Sequence, residues 1–146
     1  MLAAAQFVAM FCALMFTGAA VYINLVEHPT RLSFSNTIAL SIWESSYKRA
    51  TRMQAPLALI SGFSAAGVWW LSGSLLWLLA SVLILLVVPF TFAIIMPVNT
   101  ELQRADLEPE SVRARKLLET WGRLHSVRSI LAMVASSLML TQLVSV

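Results

Sequence analysis

Residues 56–97 read PLALISGFSAAGVWWLSGSLLWLLASVLILLVVPFTFAIIMP, with no Asp, Glu, Lys, Arg or His between Pro56 and Pro97. Ser72-Gly73-Ser74 stands near the middle, and Gly flanked by Ser is a turn signature. Split there, the stretch gives two apolar segments, 53–71 and 75–96, each close to the ~20 residues a helix needs to cross hydrocarbon. Both are apolar on every face. A membrane barrel strand would alternate polar and apolar residues over about ten positions, so the segments read as helices. Trp69, Trp70 and Trp77 beside the turn are expected as headgroup anchors.

Working outward, two more apolar segments flank this pair, 2–26 and 125–146. The first lacks the positive stretch that begins a signal peptide and is too long for one, so it reads as a retained span. The expected fold is all-α, a single domain (1–146) forming an integral-membrane antiparallel four-helix bundle with two longer connections. Composition agrees. The chain has 146 residues, 59% of them hydrophobic and 12% charged, with a mean hydropathy of +0.80. A soluble domain carries about 25% charged residues, and so few charges would not cover a soluble enzyme. The lone Cys12 excludes an intrachain disulfide.

The charges are concentrated. All ten Lys and Arg residues lie in the connections 27–52 and 99–124 or on the adjoining helix ends. Lys and Arg beside short spans favour the cytoplasm. The expectation is therefore both termini outside and both long connections cytoplasmic, in a multi-pass protein of the plasma membrane (the inner membrane, in a bacterium). Charges confined to two loops make no continuous basic face, so nucleic acid is not an expected partner. The lipid bilayer and a lipophilic small molecule are, and a homo-oligomer stays compatible. In the first connection, residues 38–52 fit an amphipathic helix with Ile42, Trp43 and Tyr47 toward the bilayer and Glu44, Lys48 and Arg52 polar. In the second, the acidic cluster Glu101, Asp106, Glu108 and Glu110 and the basic cluster Arg113, Arg115 and Lys116 read as a solvated loop and helix start. Pro89 and Pro97 are expected to kink or end the third helix.

Polar residues at span ends carry the chemistry. Asn24, Glu27 and His28 stand at i, i+3 and i+4, one helix face. Ala9, Ala13 and Thr17 lie upstream on nearly the same face, and small residues at that spacing mark close helix packing in membranes. Trp121, His125 and Arg128 share a face that continues through Ser129, Ala132 and Ser136. Both histidines should thus point into the bundle. Arg52, Gln54 and Asn99 reach the same depth on the other two spans. Ser and Thr at the opposite end are expected to bond their own backbone. Ala58, Gly62 and Ala66 read as a packing stripe.

Three readings of this cluster stay open: a polar cap anchoring helix ends, acid–base chemistry on a lipophilic substrate, and a metal site of His28, His125 and Glu27, a ligand set suited to zinc or non-haem iron. Trp121 reads as a helix anchor or as a platform for an aromatic ligand.

At these residues the chain resembles a known group. Asn24-x-x-Glu27-His28-Pro29, Pro97-x-Asn99 and Trp121-x-x-x-His125-x-x-Arg128, on four spans, are similar to the DUF1772 family of small membrane proteins, which includes the anthrone oxygenases of fungi. The resemblance implies an oxidoreductase that oxidises a phenolic tricyclic methylene to a quinone with dioxygen, acting on a lipophilic aromatic or quinone-like substrate. His28, His125 and Arg128 would then be catalytic, one histidine as base and Arg128 at the enolate oxygen. Asn24, Asn99 and Trp121 would bind substrate. The resemblance fixes no cofactor: none is needed for such a route, and a single metal ion is the alternative. The competing reading is a non-enzymatic membrane protein whose cluster ties the bundle together or holds a lipid headgroup or partner.

Overall fold

The computed structural model describes residues 1–144; Ser145 and Val146, the end of the expected fourth span, lie outside the described residues. Among the described residues the chain is helical, without strands: α1 Leu2–Tyr22, a π turn Ile23–Glu27, α2 His28–Leu32, α3 Asn36–Ser72, α4 Leu75–Phe90, a second π turn Thr91–Ile95, α5 Met96–Leu102 and α6 Val112–Val144. The π turns leave their helices continuous. Four helices result, each long and apolar enough to cross a membrane: Leu2–Leu32, Asn36–Ser72, Leu75–Leu102 and Val112–Val144.

They form an up-and-down bundle. α1 packs on α3, α3 on α4, α4 on α6, and α6 returns to α1, while α3 barely meets α6 across the diagonal. Tight connections between neighbouring helices produce this order. The α3–α4 turn needs Gly73, whose φ of 71° lies in the left-handed region and whose N–H donates to the Trp69 carbonyl at 2.7 Å.

Small residues let the backbones approach. Ala9, Ala13, Ala58, Ala65, Ala80, Ala132 and Ala135 are buried at the contacts. At Gly62 a Cβ would collide with the Leu85 side chain. At the end opposite the charged loops, Ser72 Oγ donates to the Val68 carbonyl at 2.7 Å and Thr141 Oγ1 to the Ser137 carbonyl at 2.8 Å, as expected, whereas other hydroxyls cross between helices. Ser61 Oγ donates to the Ala9 carbonyl and Ser81 Oγ to the Gly62 carbonyl, both at 2.8 Å, and the Thr17 and Ser136 hydroxyls meet at 3.0 Å. With no water in hydrocarbon, these groups join helices rather than folding back on themselves. Large side chains such as Phe7, Phe11, Phe63, Leu79 and Ile130 face outward, as a lipid-facing surface requires.

Several expectations are corrected. Pro89 and Pro97 do not end the third helix, which runs to Leu102. Each π turn is followed by a proline two residues past its end, Pro29 and Pro97. Proline offers no N–H and crowds the carbonyl four residues back, and the wider turn accommodates the chain there. The amphipathic segment 38–52 is no separate helix but the start of α3, and Trp43 is 1% exposed rather than turned to the bilayer. Trp77 is buried in the core and cannot anchor at a headgroup, whereas Trp70 is exposed.

The charged end is laced shut. Arg115 donates to the Leu32 carbonyl at 2.7 Å, and Arg113 pairs with Glu101. Thr37 donates its N–H and hydroxyl to Glu110 Oε1 at 2.9 and 2.7 Å, which holds that carboxyl below its usual range. Arg104 likewise depresses Asp106 by bonding it twice at 2.9 Å, and is itself raised.

Candidate active site

Just inside this charged end, α1 and α6 are joined through one side chain. Asn24 leaves the first π turn toward α6, and its Nδ2 donates to the Gly122 carbonyl at 3.1 Å and to Ser126 Oγ at 2.8 Å. A carbonyl only accepts, so the amide orientation is fixed. Asn24 Oδ1 must then accept, and it receives the Ser129 hydroxyl at 2.5 Å and faces His125 Nδ1 at 2.9 Å. His125 Nδ1 therefore carries the proton, and the ring's other nitrogen, Nε2, holds the free lone pair. His125 is 2% exposed.

His28 is arranged differently. Arg31 Nη1 lies 3.3 Å from its Nδ1. A guanidinium only donates, so Nδ1 accepts and Nε2 bears the hydrogen, buried against the Leu118 backbone. The ring rests on Gly122, where an added Cβ would come within 2.5 Å of it. Both imidazoles pack on the Trp121 indole, His125 stacked at 4.9 Å between centroids and His28 tilted at 5.2 Å. Trp43 stacks on Tyr47 and meets Trp121 edge-on. Trp121 is thus an interior platform and not an interfacial anchor.

Arg31, which spacing did not single out, is 1% exposed. It pairs with Glu27 and donates to Ser46 Oγ at 2.8 Å, and its guanidinium lies 5.6 Å from the Trp121 ring centroid. Its offsets from His28 and Glu27, three and four residues, were the available signal. Arg128 donates to Gln54 Oε1 at 3.0 Å and sits over the Phe16 ring.

These groups line a narrow pocket of about 10 Å³, with His125, Arg128, Arg31, Trp121, Gln54, Glu27 and Tyr47 in its wall. Tyr47, Thr51 and Arg128 also belong to a larger apolar cleft of about 70 Å³, lined by Phe16, Ala58 and Val87. Arg31 Nε, Arg128 Nε, Gln54 Nε2 and Trp121 Nε1 are buried with no acceptor. All four are donors on residues that line the pocket.

Of the expected cluster, Glu27, Gln54, His125 and Arg128 line this pocket, while Asn24 and His28 stand behind its wall, bonded to His125 and packed on Trp121. Arg52 does not; it lies exposed on the outer face of α3 beside Lys48 and Arg49. Asn99 is buried with both amide atoms unpartnered, but it is not among the residues lining the pocket. The alternative metal set does not assemble either. Glu27 is engaged by Arg31, and among the described residues no three His, Cys, Asp or Glu side chains converge as a ligand group.

The anthrone oxygenase family model matches residues 43–138. The match takes in Asn99, Trp121, His125 and Arg128 and leaves Asn24, Glu27 and His28 outside. The anthrone oxygenase tpcL of Aspergillus fumigatus is 29% identical over 124 residues, covering 82% of this chain and 71% of that protein. No solved structure matches. With two thirds of its length inside the family model, on four helices of membrane-spanning length and composition, the chain belongs to the anthrone oxygenase (DUF1772) family.

Proposed function

We propose that the protein oxidises a lipophilic phenolic tricycle of the anthrone type with dioxygen, using His125 as base in a pocket at the charged, cytoplasm-facing end of the bundle. The observation that carries this reading is the fixed tautomer of His125. Asn24 holds Nδ1–H, which leaves Nε2 as a buried lone pair in the wall of a donor-rich pocket. His28 has no free lone pair, because Arg31 occupies its Nδ1, so it positions Trp121 and Arg31 and does not act as base.

The steps balance. His125 Nε2 takes one proton from the methylene carbon, and the electron pair delocalises onto the conjugated oxygen. Arg128, with Gln54 beside it, stabilises that oxyanion. The carbanion and dioxygen form a carbon–oxygen bond, and the proton held by His125 completes a hydroperoxide. Loss of the remaining methylene hydrogen as a proton breaks the O–O bond, giving the ketone and one water. Asn24 and Ser129 keep His125 oriented throughout.

The family model and the named relative support an oxygenase.

The test is turnover of anthrone by purified protein in nanodiscs, read as oxygen uptake and quinone absorbance. His125→Ala should lose about 10²- to 10⁴-fold and Arg128→Met about 10²-fold or more, each assayed below its own unfolding temperature. Wild-type turnover by His125→Ala, or complete loss on chelation, would overturn this route.

A further inference from the structure

We infer that the ligand enters the pocket sideways from the hydrocarbon layer, through the cleft between α3 and the second π turn, and that Ala55 sets the width of this portal. The inference rests on the reading that the pocket takes a tricyclic phenol.

The cleft has a lipid-facing rim. Ala55 is exposed on α3, and Phe92, on the π turn opposite, is 65% exposed on a surface of outward-facing apolar side chains. Its inner wall is buried and apolar, Ala58 and Val87 each being 1% exposed. Its floor is Arg128, the residue that also faces the polar pocket. A flat aromatic ligand sliding inward thus stays in apolar surroundings until its oxygen meets the guanidinium.

A second groove, between α1 and α3, also reaches the pocket. It is lined by Ala19 and Met53, and it meets the pocket at Glu27 and Gln54. Its inner end holds the Glu27 carboxylate paired to Arg31. An apolar ligand passing there would strip water and partners from a charge pair, at a cost the cleft does not impose. Position 55 offers only a methyl group to the portal, so a bulky residue there narrows the mouth without touching the pocket wall.

The experiment measures the association rate of 1,8-dihydroxyanthraquinone, a product-shaped ligand, with wild type, Ala55→Trp and Ala19→Trp in nanodiscs, followed through the ligand's own visible absorbance. Ala55→Trp should slow association by about tenfold or more, and Ala19→Trp should stay within about twofold of wild type. An unchanged rate in Ala55→Trp, or equal slowing in both variants, overturns the portal while leaving the pocket's assignment intact. Absence of binding to wild type overturns both the tricyclic ligand and the route built on it.

Discussion

Single atoms decide the chemistry of this site. The two histidines stand in similar sequence settings, each near a span end on a face of small residues, and spacing alone made them equivalent. Their partners separate them. Asn24 Oδ1 fixes the proton of His125 on Nδ1, and an arginine donor fills Nδ1 of His28. Gly122 makes the second arrangement possible by leaving room for the His28 ring. Gly122→Ala should push that ring away and destabilise the fold by about 1–3 kcal/mol, the usual cost of overpacking, read as a lowered unfolding midpoint in detergent. An unchanged midpoint would show that the ring moves freely. Spacing found Asn24, His125 and Arg128 because polar groups on a small-residue face have nowhere to point but inward. It passed over Arg31, since an arginine at a helix end ordinarily reaches for headgroups, and only its neighbours reveal that this one is buried.

At the scale of elements, the two π turns are what the sequence concealed. Periodicity arguments assume 3.6 residues per turn, and a five-residue π turn breaks that count without breaking the helix. This is how Asn24 and His28 both reach α6 while Glu27, between them, pairs with Arg31 beside α3. It is also why Pro97 continues a helix it was expected to stop. The charged loop was legible as two opposite clusters but not as a clasp. Glu110, depressed by the Thr37 N–H and hydroxyl, binds fewer protons folded than unfolded. It therefore contributes stability above the ordinary carboxylate range, and that contribution disappears as pH falls through its lowered value. Glu110→Gln should accordingly lower the midpoint at pH 7 and bring it toward the wild-type value in acid; parallel curves for the two proteins would contradict the clasp.

For the whole molecule, the charge-free run between Pro56 and Pro97 and its central Ser72-Gly73-Ser74 turn were enough to indicate helices long enough to span a bilayer. The composition left no polar surface for any other class of fold. The sequence could not show that α3 continues unbroken from the first connection into its span, which sets Trp43, Tyr47 and Gln54 beside α6 and completes the pocket. Bundle and pocket together leave one imidazole nitrogen with a free lone pair in the pocket wall. The most direct measurement is anaerobic exchange of the anthrone methylene hydrogens with deuterated water, because it isolates proton removal from the later reaction with oxygen. Wild type should accelerate exchange at least about 10²-fold over buffer, within the usual range for a positioned base, and His125→Asn should return it to the buffer rate. Exchange by His125→Asn as fast as wild type, or none above buffer by wild type, would contradict the assignment of His125 as the base.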